Sequence, residues 1–247
     1  MTAERKLEIV GRDIEVAELY EFISADQRRA MDRRTTRRVV AAALATSALA
    51  TSALGAASAQ AYTPPKGTPD LAKMTLQPSD LAPGATLLVN SYFPGGLHER
   101  DEYDRDWGVV STTGGVKLQQ LQTEITLATS TTWAHAVFGQ VPSIYDSSAG
   151  RRSLIDNIDA GNGSSATLKD ARFGTLRGIG VGQQSMYGSA TIATKGSTIA
   201  AGFAWVRVDA AIATLVVVAP KAPLADSVTI AIAKTVAAHM KSVLGAQ

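Results

Sequence analysis

QSMYGSATIATKGSTIAAGFAWVRVDAAIATLVVVAP, residues 184–220, holds three apolar runs divided by Lys195-Gly196-Ser197 and by Asp209, and closed by Pro220. Their valine, isoleucine, threonine and aromatic content predicts strands over 184–194, 198–208 and 211–219. Links this short force antiparallel neighbours, because a parallel return needs a crossover of about a dozen residues or more. Pro220 and Pro223 break the pattern before 224–244, where Leu224, Val228, Ile232, Val236 and Met240 recur at helical spacing and continue to Val243 or Leu244. Such a stripe predicts a C-terminal helix laid over the sheet.

Upstream the same order of elements recurs, without a residue-level repeat. The apolar segment 86–92 reads as a first strand, and His98 to Trp107, HERDEYDRDW, as a polar stretch leading into a strand near 107–111. Thr113-Gly114-Gly115 marks a hairpin turn into 116–128, whose Leu121, Thr123, Ile125 and Leu127 have the period of a strand. Ser130 or Thr131 caps a helix through Trp133, Val137 and Phe138 that stops before Pro142. The region 149–182 is a loop rich in Gly, Ser and Asn with a short helix at 152–158. Together these predict an α+β domain: an antiparallel sheet with helices packed on a face and the C-terminal helix covering the sheet.

The N-terminal quarter concerns location. Arg33, Arg34, Arg37 and Arg38 precede an uncharged run of Ala, Leu, Val, Thr and Ser over 39–57, and Ala59-Gln60-Ala61 forms an A-x-A site. That is the layout of a secretory signal peptide over 31–61, with cleavage leaving Tyr62 first. A retained anchor is the competing reading, since the run approaches a membrane-spanning length, but Ala, Thr and Ser contribute little transfer energy. Thr36-Arg37-Arg38-Val39-Val40 is similar to the twin-arginine signature; Val40 in place of Phe and the lack of a following lysine leave the general secretory route as the default. Residues 1–30 have an amphipathic helical pattern and read either as a partner-binding helix or as sequence upstream of a start at Met31. The expected division is therefore 1–30, signal 31–61, a leader or linker at 62–73 whose Pro-rich start over 62–68 is extended and mobile, and a single extracytoplasmic domain at 74–247.

Composition closes off several chemistries. After residue 61 the chain has fifteen Lys and Arg against fourteen Asp and Glu, with no basic tract for nucleic acid. There is no cysteine, hence no thiol catalysis, cysteine-ligated metal or lipobox attachment. His98, His135 and His239 lack the spacing of a helical zinc site, and Gly178-Ile179-Gly180-Val181-Gly182 runs into a strand and lacks the phosphate-loop lysine. No G-x-S-x-G marks a serine nucleophile. Asp101, Glu102, Asp104 and Asp106 are the calcium candidates, but the run lacks the EF-hand glycine and closing acid, and Arg100 and Arg105 offer local ion pairs. Phe203 and Trp205 fall on one face of a strand, where core packing is the default and an apolar or glycan ligand the alternative. No catalytic residue, cofactor site or resident metal is assigned.

Four passages carry a family resemblance: MTLQPSDLAPGA at 74–85, EYDRDW at 102–107, the strand-to-helix passage through Trp133 and Phe138, and the closing β-β-β-α block. They resemble uncharacterised secreted proteins and lipoproteins of actinobacterial type, similar to PsbP-like α/β envelope domains and to extracellular sensor domains of bacterial kinases. The resemblance covers most of 71–244 and departs in lacking the lipobox and disulfide cysteines. It implies a binding or interaction role and carries over no catalytic residue. The expected protein is a bacterial, secreted or cell-envelope, non-catalytic domain whose partner is an envelope protein or small ligand, with membrane contact only through 39–57 if uncleaved. The alternatives are a secreted hydrolase built around His98 or His135, and a membrane-anchored extracytoplasmic sensor if the signal is retained.

Overall fold

The computed structural model describes residues 62–245, apart from 97, 113, 163–166, 195–196 and 222. Its centre is the predicted meander: β8 (Gln184–Thr194), β9 (Ser197–Val208) and β10 (Ala211–Ala219) pair antiparallel in that order. Alternation along β9 sends Ala201, Phe203 and Trp205 to one face and Gly202, Ala204 and Val206 to the other. Both sets are apolar because both faces are covered, which explains why the strand reads as a continuous apolar run.

The meander extends into an eight-stranded sheet of order β1-β2-β5-β10-β9-β8-β6, with β7 also beside β8 and every pairing antiparallel. Here β1 is Leu87–Pro94, β2 Glu99–Trp107, β5 Gln120–Ala128, β6 Ala171–Phe173 and β7 Arg177–Gly178. A separate hairpin, β3 (Val110–Ser111) with β4 (Lys117–Leu118), interrupts the path between β2 and β5.

Helix α5 (Asp226–Gly245) covers one face, as its stripe predicts, burying Ile232, Val236 and Met240 against Ala204, Val206 and Leu215. Each such side chain withdrawn from water contributes about 1.5–3 kcal/mol. The short helix α1 (Leu71–Met74) joins this layer, with Leu71 and Met74 fully buried. On the second face lie α2 (Thr131–Phe138), α3 (Val141–Asp146) and α4 (Ser148–Asn162), whose Phe138, Tyr145 and Ile155 pack on Phe203, Trp205 and Val216. Ser130 caps α2, its hydroxyl accepting from Trp133 N at 3.1 Å. No helix among the described residues is long and apolar enough to cross a membrane.

Several segments depart from expectation. The region 149–182 is not a loop with a short helix but holds α4, β6 and β7, and 116–128 is not one strand but β4 and β5, which pair with different partners. HERDEYDRDW is not a polar lead-in: Glu99–Trp107 is strand β2, set between β1 and β5. Its alternation puts Asp101, Tyr103, Arg105 and Trp107 on the α5 side and Glu102, Asp104 and Asp106 on the opposite side. Residues 62–68, expected as an extended Pro-rich leader, make side-chain contacts with β2 and lead on to α1. The Tyr62 hydroxyl donates to Asp101 Oδ1 at 2.6 Å and Thr68 Oγ1 to Asp101 Oδ2 at 2.9 Å.

Candidate functional site

The described residues line an open cleft of about 330 Å³ between the N-terminal half of α5, the β3–β4 hairpin and the 3₁₀ turn at Pro78–Asp80. Leu76, Leu81, Val116, Val228, Ala231 and Ile232 make its apolar wall, while Asp80, Thr112, Ser227 and Thr235 supply polar groups. Ser227, Ala231 and Thr235 are four residues apart on α5, so helical periodicity alone aligns them along one side. The opposite wall is fixed by backbone pairing: Leu81 bridges Thr112, and Ala82 N donates to Ser111 O at 3.0 Å.

Asp80 is held in position. Its Oδ2 accepts from Gln77 N at 2.6 Å and lies 3.7 Å from His239 Nε2, while His239 Nδ1 donates to Thr75 O at 2.9 Å. This ties α5 to the segment before the cleft. An apolar wall with a few fixed polar groups has the general character of a small-molecule site.

A second feature is acidic. Cross-strand register places Asp104 opposite Glu124 and Asp106 opposite Gln122 on the face away from α5. Carboxylate oxygens of Glu102, Asp104 and Glu124 lie within 4.8 Å of one another. At that spacing each charged pair repels by about 3 kcal/mol for an effective dielectric of about 20. Each of the three has an interaction partner, as does Asp106. Of the four calcium candidates, the structure therefore brings together Glu102 and Asp104, adds Glu124, keeps Asp106 in the same row of β2, and turns Asp101 to the other face. Glu124 was legible only through the period of β5, which sets it opposite to Leu121, Ile125 and Leu127.

The histidines are dispersed. The His98 ring lies tilted against Trp133, the ring centroids 4.2 Å apart and the planes at 40°, and the residue has a φ of 64°. His135 Nδ1 lies 3.0 Å from Gln184 Oε1, which also accepts from Arg207 Nε at 2.6 Å. Neither contributes to the cleft. Phe203 and Trp205 are buried beneath α2–α4, so the packing expectation holds for them. Arg37, Arg38, Ala59 and Ala61, together with residues 1–30 and 39–57, lie outside the described residues.

The α5 face also holds a buried arginine. Arg105 Nη1 donates to Leu76 O at 3.0 Å, its Nε and Nη2 donate to Asn90 Oδ1, and Nη2 also donates to Tyr103 Oη at 2.9 Å. Burial pushes the Tyr103 hydroxyl up, against the opposing pull of Arg105. Leu76 is thereby fixed from the sheet side while its side chain lines the cleft.

No protein-family model and no curated protein matches the chain. Among solved structures, the extracellular domain of PknH from Mycobacterium tuberculosis is similar at 8% identity and a TM-score of 0.41, over 70% of this chain and 94% of that one.

Proposed function

We propose that the chain is an exported, non-catalytic binding domain of the bacterial cell envelope, and that its ligand is a small, largely apolar molecule held in the cleft between α5 and the β3–β4 hairpin. The cleft carries the reading: about 330 Å³, with an apolar wall and the carboxylate of Asp80 among its polar groups. Export is supported by the arginine, apolar-run and A-x-A layout of 31–61. Ala231 lies on the α5 wall, so Ala231→Trp fills the space.

The test is titration of the full chain with the neutral apolar fluorophore N-phenyl-1-naphthylamine. Saturable enhancement is expected in the wild type and its loss in Ala231→Trp at unchanged helix content. Equal enhancement in both proteins would remove the cleft as the site. For export, the expected product in the host's extracellular or envelope fraction begins at Tyr62. A membrane-bound product retaining the leader would instead favour the anchored sensor. The reading includes no cofactor, resident metal or nucleic acid. Its melting temperature is accordingly expected to be the same in millimolar calcium and in EGTA; a rise with calcium, abolished by Glu124→Gln, would make the Glu102–Asp104–Glu124 row a calcium site.

A further inference from the structure

The polar groups of the cleft between α5 and the β3–β4 hairpin are weighted toward acceptors. Asp80 is the one charged residue in its described lining, which holds no lysine, arginine, histidine, amide or aromatic side chain. Asp80 Oδ2 accepts from Gln77 N at 2.6 Å, whereas no hydrogen bond from a described residue reaches Oδ1. His239 Nε2, 3.7 Å from Oδ2, is beyond hydrogen-bond reach. Thr235 donates its hydroxyl proton to Ala231 O at 3.3 Å, so for a ligand its oxygen can only accept. Thr112 Oγ1 accepts from Val116 N at 3.2 Å, and it and Ser227 each keep a proton to donate, so these two hydroxyls suit donors and acceptors alike.

We infer that the cleft selects protonated primary amines: an apolar body lies along Leu76, Leu81, Val116 and Ile232, and the ammonium head donates to Asp80. The inference rests on the cleft reading proposed above and names the ligand class for it. An ammonium has three donors and no acceptor, the complement of a carboxylate with one oxygen to spare. The Asp80 side chain is only 20% exposed, so the pair is screened less than one on an open surface. A carboxylate head would meet like charge with no lining cation to offset it. The first turn of α5 brings only about half a positive charge, against the full negative charge of Asp80. A quaternary ammonium is held by aromatic faces, which this lining lacks, and has no N–H to give to the carboxylate.

The experiment is displacement of N-phenyl-1-naphthylamine from the full chain at about pH 8, where an alkylamine is still protonated. Four competitors share one apolar body: 2-(1-naphthyl)ethylamine, its N,N,N-trimethyl derivative, 2-(1-naphthyl)ethanol and 3-(1-naphthyl)propionate. The amine is expected to compete about tenfold better than the alcohol, since a charge-assisted hydrogen bond is about twice as strong as a neutral one. The trimethyl derivative is expected to be at least about fivefold weaker than the amine, and the propionate weaker than the alcohol. Asp80→Asn keeps an acceptor for Gln77 N and removes the charge; it is expected to bring the amine to within about twofold of the alcohol at unchanged helix content. The wild-type series needs no variant, so the assignment stays testable if Asp80→Asn disturbs the turn. Three results would overturn it and leave the cleft reading standing: amine and propionate within about twofold of each other, a trimethyl derivative that matches the amine, or an amine advantage that persists in Asp80→Asn. A fluorophore that binds the wild type and Ala231→Trp alike would overturn the cleft reading, and the amine assignment with it.

Discussion

Tyr187 on β8 donates its hydroxyl to Asp226 Oδ1 at 2.7 Å, joining the sheet to the first residue of the helix that covers it. Asp226 Oδ2 accepts from Arg177 Nη2 at 2.9 Å, and the Arg177 guanidinium lies over the Tyr187 ring. Burial first, and then the bond to Asp226, push the Tyr187 hydroxyl well above its ordinary range. The same bond, followed by Arg177, holds the Asp226 carboxyl below its own.

Opposite shifts give two pH limits. A lowered carboxyl stabilises the fold above its unfolded value of about 3.9, and that contribution is lost as pH falls through the folded value. A raised phenol stabilises the fold below about 10, with the contribution declining as pH rises beyond and the unfolded chain ionises. Tyr187→Phe is expected to lower stability by about 1 kcal/mol at neutral pH and to flatten both limbs of a urea-midpoint profile. Arg177→Ala should cost less, because the Arg177 and Asp226 side chains are 50% and 49% exposed and water screens the pair. An unchanged acid limb in Tyr187→Phe would show that the bond does not set the Asp226 shift.

Arg105 gives the largest expected loss from a single polar side chain. Its three nitrogens satisfy a backbone carbonyl, an amide oxygen and a phenol at once, in a fork that an ammonium cannot reproduce. Arg105→Ala leaves buried acceptors without donors and is expected to cost about 3 kcal/mol in urea unfolding. Arg105→Lys should recover less than half of it. Because Leu76 O is one of the acceptors, both variants should also weaken fluorophore binding in the cleft.

How far the fold could be read from the chain follows from which residues alternate. The β8–β10 meander and α5 were legible because Ile212, Ala213, Thr214 and Leu215 belong to a strand apolar on both faces and Ile232, Val236 and Met240 keep helical spacing. Strand β2 was not, because Arg105 sits between Tyr103 and Trp107 on its inner face while Glu102, Asp104 and Asp106 occupy the other. An arginine satisfied inside the fold and acids set in a row look, in one dimension, like a solvated edge. The cleft was illegible for another reason. Asp80, Val116 and Ala231 meet only through tertiary packing, so no local spacing announces them. Tyr62 was hidden by its neighbours Pro64 and Pro65, which suggest a mobile leader, and its partner Asp101 lies 39 positions away.

Gly188 offers a test of the second face. A Cβ there would stand 2.6 Å from Tyr145 Cζ and 2.7 Å from its hydroxyl oxygen. Tyr145 cannot swing aside cheaply, since it is fully buried and its single hydroxyl proton is shared between Gly174 O at 2.9 Å and Ser189 O at 3.0 Å. Gly188→Ala is therefore expected to destabilise by about 1–3 kcal/mol, the usual cost of overpacking. Gly178→Ala on the neighbouring β7, where the nearest atom is 3.8 Å away, should stay within about 0.5 kcal/mol. Calorimetric melting of the two variants side by side separates close contact from general glycine replacement; equal losses would count against the contact.

The crossing of α5 over β9 rests on Gly202 and Thr229. A Cβ on Gly202 would collide with Thr229 Oγ1 and come within 3.1 Å of Thr229 Cβ, so the absence of a side chain lets the helix approach the sheet. Thr229 is fully buried, and its Oγ1 has no hydrogen-bond partner. Gly202→Ala alone is expected to cost about 2–3 kcal/mol as the helix is forced outward. Thr229→Val, which keeps the branched shape and removes an unsatisfied hydroxyl, should be neutral or stabilise by about 1 kcal/mol. The double variant Gly202→Ala/Thr229→Ala removes the colliding oxygen and the γ-methyl, leaving only the 3.1 Å approach to Cβ. Its total loss should therefore fall short of the sum of the single losses by at least about 1 kcal/mol. Because Val228, Ala231 and Ile232 on the same turns line the cleft, Gly202→Ala should also weaken fluorophore binding, and the double variant should restore it. Additive stabilities in chemical unfolding would mean that α5 is free to shift over β9, and that its approach to the sheet does not depend on this pair.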